Sequence, residues 1–367
     1  MVILHYIASP FWGGGEQYIC DLSINIKHRY GVDHVFVCQP NTPTEVIERW
    51  QQIGRVYCLR PKTKNGKFSW ITAFKLVKII REEQVDIVHV HELKDFFICT
   101  YAKLFSKRPI RLVATRHLIA PAKNKILWRL IYRQIDHIIF VSQCAKNAFL
   151  KHYKVRNSVR NSQIIPNSIY IPETFSKQID LRIEYNIPTY LPLILFHGRI
   201  CKEKGIIQLL EVLSTTFKKN YAIILAGHID DDIRSRLELL VHNSPMAGYI
   251  YPIGFQRNIT NIIAQCQVGI LPSIVPEAAS LSLLEYMAMG SAIIASNNGS
   301  QPEYAENGEE ALLLPPGDWK EWEKSINLLI NNRELAEQIG KQARERFAQD
   351  FTYDIFLERI YHVYTNR

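Results

Sequence analysis

The segment that decides the fold spans residues 269–317 and reads GILPSIVPEAASLSLLEYMAMGSAIIASNNGSQPEYAENGEEALLLPPG. It begins with an apolar strand, continues through a polar turn that holds Pro272, Ser273 and Pro276, and then forms a short helix that ends at Gly290. A second apolar strand follows the helix. Strand, helix and strand in this order predict a parallel α/β sheet, in which ligands bind where the carboxyl end of a strand meets a helix N-terminus.

Two acidic residues, Glu277 and Glu285, lie around the start of this helix. A helix N-terminus attracts anions through its free N–H groups and its dipole, so these carboxylates do not suit a phosphate. They suit sugar hydroxyls, which donate hydrogen bonds. Glu285 follows Ser282 by three residues, so a helix-capping box is the structural alternative for Glu285. Glu277 precedes the helix, and no such alternative applies to it.

A second candidate site lies upstream in residues 197–205, which read HGRICKEKG. Arg199 directly follows a predicted strand, and Lys204 is predicted to lie in the first turn of the next helix. The helix dipole disfavours cations there, so Lys202 and Lys204 are explained if an anion neutralises them. Because arginine and lysine both bind phosphate, we expect a phosphate site here, with a solvated basic loop as the alternative.

Strands and helices alternate along the whole chain of 367 residues. Only residues 169–192, which contain three prolines, interrupt the alternation, and we interpret them as a linker. The sequence therefore predicts two doubly wound α/β domains, residues 1–170 and 171–350, with a ligand-binding cleft between them.

Composition excludes several classes of protein. No run of about 18 uncharged apolar residues is present, which argues against a membrane-spanning helix. The apolar N-terminal segment lacks the basic region of a signal peptide and is interpreted as the first core strand. Seven cysteines occur singly in the sequence. This spacing predicts free, mostly buried thiols in a reducing compartment and argues against a disulfide or zinc framework.

The net charge of +9 is distributed unevenly. Residues 1–185 hold 28 lysines and arginines against 14 acidic residues, whereas the remainder holds 16 against 21. A basic half suits nucleic acid, an anionic membrane surface or phosphorylated substrates. The sequence contains no recognisable nucleic-acid-binding module, so we expect no nucleic-acid partner.

Two further features follow predicted strands of the first domain. Gly13, Gly14 and Gly15 would let backbone N–H groups approach an anion, although their spacing matches neither the dinucleotide-binding motif nor the P-loop. A flexible turn is the alternative for these glycines. His117 follows a strand and is therefore expected to face the cleft, with an ordinary loop histidine as the alternative.

Two clusters raise the question of a metal. His89 and His91 alternate on one strand and so share a face, but with Glu92 they lack matching third and fourth ligands, and we expect no metal there. The acidic triple at residues 230–232 could bind a divalent cation. It also opens a helix, and we interpret it as a helix cap.

The segment at residues 123–133 predicts a basic, aromatic helix. Its apolar face holds Ile126, Leu127, Leu130 and Ile131, its aromatic residues are Trp128 and Tyr132, and its basic residues are Lys123, Lys125, Arg129 and Arg133. Such a helix can lie on an anionic membrane, although a core helix with a solvated rim is the commoner arrangement.

Taken together, residues 197–317 resemble the retaining glycosyltransferases of family 4, which have the GT-B fold. The resemblance rests on GRICKEKG, on PS followed by two glutamates with seven residues between them, and on GSAIIASNNGSQPEYAENGEEALLLPPGD. Looser matches in the first half are GGGEQ, DIVHVHE, ATRH, IIFVSQCAKN and IIPNSI. The resemblance implies two Rossmann-like domains and a last helix, within residues 351–367, that crosses back to the first domain.

The resemblance also implies a role for each matching residue. Arg199 and Lys204 would bind the diphosphate of a nucleotide-sugar donor, Glu285 its ribose and Glu277 its sugar, while His117 would lie near the reaction centre. The predicted catalytic residues are His117, Arg199, Lys204 and Glu277, and the further donor-binding residues are Gly14, Gly15, Gly254, Phe255, Ala279, Ser280, Leu281 and Glu285.

One departure concerns the sugar. Members of the family often carry Gly-Phe-Gly after the first acid, where this chain has Ala278, Ala279 and Ser280. Those positions line the sugar in the family, so the identity of the donor sugar is open.

The function expected from this resemblance is retaining transfer of a sugar, with UDP-sugar as the expected donor, to a hydroxyl of a glycan or lipid-linked acceptor in bacterial surface polysaccharide or lipopolysaccharide synthesis. No metal or other cofactor is expected, and the location is expected to be cytoplasmic, at the inner face of the membrane if the basic half contacts lipid. The alternatives are a nucleotide-sugar epimerase or hydrolase of the same fold and a non-catalytic basic binding protein.

Overall fold

The computed structural model describes residues 1–7, 14–60, 70–171, 179–256 and 258–366. Gly13 and residues 172–178 of the predicted linker lie outside these ranges. So do residues 62–67, a basic segment that the sequence predicts to be a loop. The strands are β1 (Val2–Tyr6), β2 (Asp33–Cys38), β3 (Arg55–Cys58), β4 (Ile87–Val90), β5 (Arg111–Arg116), β6 (His137–Phe140), β7 (Ser162–Ile164), β8 (Leu193–His197), β9 (Ala222–Ala226), β10 (Ile250–Gly254), β11 (Val268–Leu271), β12 (Ala292–Ser296) and β13 (Leu312–Leu314).

Helices connect most of these strands, as the alternation predicts. They are α1 (Gly14–Tyr30), α2 (Thr44–Ile53), α3 (Trp70–Glu82), α4 (Phe96–Phe105), α5 (Ile126–Tyr132), α6 (Gln143–Phe149), α7 (Tyr153–Arg156), α8 (Leu181–Glu184), α9 (Ile206–Thr216), α10 (Asp231–Asn243), α11 (Ile259–Ile263), α12 (Leu281–Met289), α13 (Gln301–Tyr304), α14 (Trp319–Asn331), α15 (Arg333–Asp350) and α16 (Tyr353–Thr365). Short 3-10 turns occur at Leu93–Asp95 and Lys202–Lys204.

The chain forms two compact units, each built around one parallel sheet. The first unit comprises residues 1–166 and 354–367, and the second comprises residues 167–353. The first sheet has the strand order β3-β2-β1-β4-β5-β6-β7, and the second has the order β10-β9-β8-β11-β12-β13. Every strand pairing is parallel. The predicted α/β class with two Rossmann-like sheets is therefore confirmed.

The predicted linker is wrong in its second half. Asp180 caps the short helix α8 by accepting hydrogen bonds from the backbone N–H groups of Arg182 and Ile183. Leu181 and Leu191 are buried in the core of the second unit. Prolines and polar residues gave this segment the composition of a linker, yet its few apolar side chains belong to a folded domain.

Helix α16 belongs to the first unit although it ends the chain. Arg29 of α1 forms ion pairs of 2.7 Å with Asp354 and with Glu358. The rings of Tyr30 and Tyr361 stack at 3.7 Å. These contacts fix residues 354–366 on the first sheet's own helix layer.

The two faces of the first sheet differ in chemistry. Side chains alternate between faces along a strand. One face holds an apolar core that includes Leu4, Val35 and Val88. On the opposite face His5 lies between the rings of His34 and His91, at centroid distances of 5.2 and 5.5 Å.

The second sheet is apolar on both faces. Leu193 and Leu195 of β8 belong to one core cluster, and Ile194 and Phe196 belong to another. Strand β8 is thus buried on both sides, as expected for the central strand of a parallel sheet covered by helices.

The seven cysteines are free, and four of them are buried, which confirms the predicted thiols. Cys38 and Cys58 are paired neighbours on β2 and β3, with their sulfur atoms 3.2 Å apart. None of the helices in the described part of the chain combines the length and apolar character needed to cross a bilayer.

Candidate functional site

The strand order of the second sheet reverses between β8 and β11. The chain leaves β8 toward β9 on one side, and β11 pairs on the other side. The carboxyl ends of these two neighbouring strands carry residues 197–205 and 272–280, the two segments that the sequence singles out. A reversal of this kind opens a crevice at which α/β proteins bind ligands. We call this edge the β8–β11 edge.

Glycines let the backbone come close together at the β8–β11 edge. Gly205 has φ +69°, and a Cβ there would lie 2.1 Å from the carbonyl oxygen of Pro272. A Cβ on Gly227, after β9, would lie 1.9 Å from the carbonyl oxygen of Gly198. No other residue fits at either position, because both the left-handed φ and the close approach exclude a side chain.

Lys204 and Glu277 meet at this edge. The Nζ atom of Lys204 lies 2.6 Å from Oε2 of Glu277. The hydroxyl of Ser273 donates a hydrogen bond to the other carboxylate oxygen of Glu277. The Glu277 carbonyl also accepts a hydrogen bond of 2.8 Å from the backbone N–H of Ser300. Contacts with Ser273 and Ser300 therefore fix Glu277, and its carboxylate positions the ammonium group of Lys204.

Lys204 lies outside the helix in which the sequence places it. It ends the 3-10 turn Lys202–Lys204, and α9 begins two residues later at Ile206. Gly205 terminates the turn in a left-handed conformation. The dipole argument for an anion therefore applies to the segment before the helix rather than to its first turn.

Arg199 pairs with Asp230 rather than standing alone. Its guanidinium lies 3.1 Å from Oδ2 of Asp230, and its side chain remains 62% exposed. The prediction that the acidic triple caps a helix is wrong for Asp230, which precedes α10 without any side-chain capping bond. Its carboxylate orients an arginine instead, while Asp231 pairs with Arg234 within the helix.

Glu285 lies beside His197 at the end of β8. Its carboxylate oxygen is 3.5 Å from Nδ1 of His197, and its side chain is 24% exposed. Burial raises the pKa of Glu285 to about 8 and lowers the pKa of His197 to about 3, so both groups are mainly neutral near pH 7. The capping box considered for Glu285 does not form, because α12 begins at Leu281 and Ser282 donates its hydroxyl to the His197 carbonyl.

The remaining predicted donor residues surround the same edge. Gly254 ends β10 with φ +68°, and its carbonyl accepts a hydrogen bond from the N–H of Gly227. Phe255 is 74% exposed. Ser280 is buried at the start of α12, and its hydroxyl has no partner within the described chain. Ala279 and Leu281, its neighbours, are half-buried.

The β8–β11 edge therefore holds two cations, Lys204 and Arg199, each beside a carboxylate. It also holds a carboxylic acid, Glu285 of α12, beside His197. Cations of this kind stabilise negative charge that develops on a phosphate. Carboxylates accept hydrogen bonds from hydroxyl groups. The arrangement suits a ligand with a diphosphate at one end and hydroxyls at both sides.

The first unit has its own strand-order reversal, between β1 and β4, and a cavity of about 580 Å³ lies there. Its lining includes Ile7, Gly15, Glu16, Ile19, His91, Glu92, Leu93, Arg116, His117, Leu118 and Lys123. Two predicted site residues, Gly15 and His117, thus line one cavity. Burial lowers the pKa of His117 to about 4, so its imidazole is neutral near pH 7.

The predicted glycines begin helix α1. Gly14 and Gly15 are its first two residues, so a flexible turn is the wrong interpretation for them. A Cβ on Gly15 would meet nothing within 4 Å. The backbone conformation at Gly15 therefore does not require glycine. The absence of a side chain there leaves more space in the cavity of the first unit.

Four histidines under this cavity form a buried hydrogen-bonded cluster. Nδ1 of His5 lies 3.2 Å from Nε2 of His91, and Nε2 of His5 lies 3.1 Å from Nδ1 of His34. His89 contacts the hydroxyls of Tyr364 and Thr115, each at 2.7 Å. Burial lowers the pKa of His34 to about 3 and those of His5, His89 and His91 well below their ordinary value.

The sequence offers no third metal ligand for His89 and His91, and the structure corrects this. A nitrogen of His5 lies within 4.8 Å of a nitrogen of each of the other two histidines, a spacing that could hold a metal ion. Both nitrogens of His89 already bond hydroxyl groups, so His89 has no free nitrogen for an ion. The cluster fits an ion less well than an open set of imidazoles would.

Sequence reasoning missed several residues of the two sites. His5 and His34 stand alone in the sequence, and only the pairing of β1 with β2 and β4 brings them to His91. Arg116 stands next to the predicted His117 but is not among the predicted site residues. Its position at the carboxyl end of β5 was the signal that could have found it.

Two family models match the chain. The model described as Glycosyltransferase Family 4 matches residues 12–171, and the model described as Glycosyl transferases group 1 matches residues 177–346. Together they span nearly the whole of both units. The chain belongs to glycosyltransferase family 4. The resemblance inferred from the motifs is thereby confirmed.

Two curated proteins and a solved structure resemble this glycosyltransferase over most of its length. An uncharacterized glycosyltransferase of Methanocaldococcus jannaschii is 25% identical over 94% of this chain and 92% of its own. The N,N'-diacetylbacillosaminyl-diphospho-undecaprenol alpha-1,3-N-acetylgalactosaminyltransferase of Campylobacter jejuni is 25% identical over 90% of this chain and 91% of its own. The crystal structure of Anabaena HepE in complex with UDP covers 100% of both chains, with a TM-score of 0.82 and 19% identity. The fold is therefore GT-B.

Proposed function

We propose that this glycosyltransferase moves a sugar from a nucleotide-sugar, with UDP-sugar as the expected donor, to a hydroxyl group with retention of the anomeric configuration. The observation that carries the proposal is the pairing of Lys204 with Glu277 at 2.6 Å, beside Arg199 and Asp230, at the β8–β11 edge. Two cations held in place by carboxylates suit a diphosphate leaving group. The UDP bound to Anabaena HepE supports the choice of base.

In the proposed reaction, an acceptor hydroxyl forms a new C–O bond at the anomeric carbon while the bond from that carbon to the diphosphate breaks. The electron pair of the broken bond passes to the leaving phosphate oxygen, and the hydroxyl proton passes to a phosphate oxygen on the same face. Lys204 and Arg199 stabilise the negative charge as it develops. Glu277 orients the sugar, and Glu285 binds the ribose.

The proposed transfer needs no metal ion. In many enzymes Mg²⁺ neutralises a diphosphate, and here two side chains can supply the same positive charge. Activity that is unchanged after chelation with EDTA would support this part of the proposal. Loss of activity that Mg²⁺ or Mn²⁺ restores would contradict it.

The proposed acceptor is a glycan or a lipid-linked glycan of bacterial surface polysaccharide or lipopolysaccharide. The name of the Campylobacter relative, which contains a diphospho-undecaprenol acceptor, supports a lipid-linked substrate. His117, in the cavity of the first unit, is proposed to lie near the acceptor hydroxyl.

Contact with an anionic membrane is part of the proposal, and α5 supports it. Ile126, Leu127 and Leu130 are 70%, 50% and 50% exposed, whereas Ile131 and Tyr132 are buried. Only part of the helix therefore packs into the core, because three of the four residues of its predicted apolar face are exposed to solvent. Basic residues beside an exposed apolar face favour an anionic lipid surface.

The membrane contact can be tested with vesicles. We expect Leu127→Ser combined with Leu130→Ser to reduce co-sedimentation with vesicles that contain phosphatidylglycerol. The matched control is Ile183→Ser combined with Leu239→Ser, which changes two exposed apolar residues of the second unit. Equal co-sedimentation of both variants would contradict a role for α5.

The phosphate assignment is tested by Lys204→Ala, with Lys202→Ala as the matched control. Lys202 lies in the same 3-10 turn, but its side chain is exposed and forms no ion pair within the described chain. We expect Lys204→Ala to abolish transfer, a loss of at least about 100-fold, because a cation on the leaving group is removed. Circular dichroism should show a folded protein. Full activity of Lys204→Ala would overturn the assignment.

The alternative of an epimerase or hydrolase is separated by the same assay. Incubation with the donor alone should yield little free sugar or epimer compared with incubation that includes an acceptor. Product formation from the donor alone at the rate of transfer would favour the alternative.

A further inference from the structure

Arg116, the last residue of β5, carries a buried charge without an ionic partner. Its side chain is only 6% exposed, and its Nε atom has no hydrogen-bond partner in the part of the chain that the structure describes. Among the described residues, no carboxylate forms an ion pair with it. Burial lowers the pKa of this guanidinium, yet a guanidinium stays charged in proteins. A buried, uncompensated ion is strongly unfavourable, so the folded chain leaves a place for an anion.

Arg116 lines the cavity of the first unit together with a second cation, Lys123. At about 580 Å³ the cavity is large enough for a small ligand. His91 and His117 also line it, and because both imidazoles are neutral near pH 7 they can each donate one hydrogen bond.

Aromatic rings rather than carboxylates hold both cations. The guanidinium carbon of Arg116 lies 5.8 Å from the centre of the Phe149 ring, and Nζ of Lys123 lies 4.6 Å from that of Trp128. A cation–π contact is weaker than an ion pair and uses the face of the ring, so N–H groups remain to bind an anion.

Two acids line the same cavity but do not neutralise Arg116. Glu16 lies in the first turn of α1, where the helix dipole and free N–H groups stabilise a carboxylate. Glu92 follows β4 and has its own interaction. Neither forms an ion pair with Arg116, so the charge of the guanidinium is left for a ligand.

We propose that this cavity binds an oxyanion, a phosphate, diphosphate or carboxylate group, and that Arg116 is the residue that recognises it. A guanidinium binds such groups through two parallel hydrogen bonds, which a lysine cannot do. That the anion belongs to the acceptor of glycosyl transfer rests on the proposed function. The anion site itself is argued from the first unit alone.

Isothermal titration with pyrophosphate, orthophosphate and malonate tests the site. The parent protein is the Lys204→Ala variant, so that phosphate bound by the β8–β11 edge does not confuse the result. Arg116→Gln is then added to that parent, and Arg160→Gln is the matched control. Arg160 lies in the same unit, is 58% exposed, and loses the same charge on substitution.

We expect saturable binding of at least one anion to the parent, and affinity about 10- to 100-fold lower with Arg116→Gln, as for lost charge-assisted hydrogen bonds. Arg160→Gln should leave the affinity unchanged. Preference for malonate identifies a carboxylate, and preference for pyrophosphate or orthophosphate identifies a phosphate. Absence of saturable binding, or equal affinities of the two arginine variants, overturns the proposal.

Arg116→Lys covers the case in which the glutamine variant does not fold. It keeps the charge but loses the paired hydrogen bonds, so we expect a several-fold loss of affinity, and an unchanged affinity overturns the role of Arg116. No donor and no transfer enter these titrations. Transfer can therefore fail while the anion site stands, and the anion site can fail while transfer stands.

Discussion

The two parallel sheets bury different side chains on their faces. Strand β8 of the second sheet places leucines in one core and Ile194 with Phe196 in the other, so both faces are apolar. In the first sheet one face is apolar, and the other buries a histidine cluster, packed beside Phe36, that contacts Ser23 of α1 and Tyr364 of α16. Sheets of one topology thus differ in a way that matters energetically, because buried imidazoles are tolerated only while neutral and hydrogen-bonded.

Acid should destabilise the first unit more than the second, and we expect this difference to be the largest effect. The pKa values of His5, His89 and His91 lie well below 6.5 in the folded chain, and that of His34 is about 3. The unfolded chain therefore binds more protons below pH 6.5. Stability of the first unit is fully present above pH 6.5 and is lost as the pH falls, by about 1.4 kcal/mol per pH unit for each histidine.

The second unit should respond much less over the same range. Because the pKa of His197 is about 3 in the folded chain, this residue lowers the stability of the second unit as the pH falls below 6.5. Glu285 acts in the opposite sense, because its folded pKa of about 8 lies above its unfolded value, and stability rises as the pH falls from 8 to about 4.5. Hydrogen exchange at pH 7.5 and 5.5, followed by peptide mass spectrometry, should show protection lost first in the first unit. Equal loss in both units would contradict the comparison.

Glycine substitution should sharpen the comparison between the two candidate sites. Gly205→Ala forces a Cβ to 2.1 Å from the Pro272 carbonyl at a left-handed φ, so we expect the second unit to lose at least about 2 kcal/mol of unfolding free energy. Gly15→Ala meets nothing within 4 Å and lies in a helix, so the first unit should gain up to about 1 kcal/mol.

Urea unfolding of the two alanine variants measures this difference. Because Gly15 lines the cavity of the first unit, we expect its alanine variant to be more stable but to bind a ligand in the cavity less well, and binding is assayed separately. If Gly15→Ala destabilised the protein as much as Gly205→Ala, the backbone at both positions would require glycine, which would contradict the expected difference.

The smallest expected effect concerns Glu285 at alkaline pH. Most of the stability that neutral Glu285 provides is already lost by pH 7, and the remaining part, about 1 kcal/mol, is lost as the carboxylic acid of the folded protein ionises near pH 8. Glu285→Gln cannot ionise, so its melting temperature should change less between pH 7 and 9 than that of the unchanged protein. Glu277→Gln is the matched control, since Glu277 already pairs with Lys204. Parallel pH profiles of the Glu285 variant and the unchanged protein would contradict the raised pKa.

Local patterns predicted most of the architecture. Helix α14, Trp319–Asn331, is an element that the local sequence specifies, because Asp318 caps it and its apolar residues recur at helical spacing. The predicted domain limits, residues 170 and 351, compare with changes of unit at residues 166 and 354. The linker prediction failed because burial of Leu181 depends on the second unit's core and not on neighbouring residues.

Side-chain partners were predicted less well than elements. Asp230 has the local sequence signature of a helix cap, yet its carboxylate forms an ion pair with Arg199, which is distant in sequence. Ser282 and Glu285 have the spacing of a capping box, but the helix begins one residue before Ser282 and the box does not form. In both cases a tertiary contact competes with a local one, and sequence spacing records only the local one.

The sequence by itself determined the α/β class, the family and the placement of Arg199, Lys204 and Glu277 in the segments that follow β8 and β11, because these depend on periodicity and short motifs. Only the tertiary structure decided which charges meet. Strand order brings β8 beside β11 and so joins Lys204 to Glu277 across 73 positions of the chain. The same kind of crossover brings together four histidines from β1, β2 and the end of β4. It also leaves Arg116 buried without a counter-ion among the described residues, since charge compensation depends on distance in space.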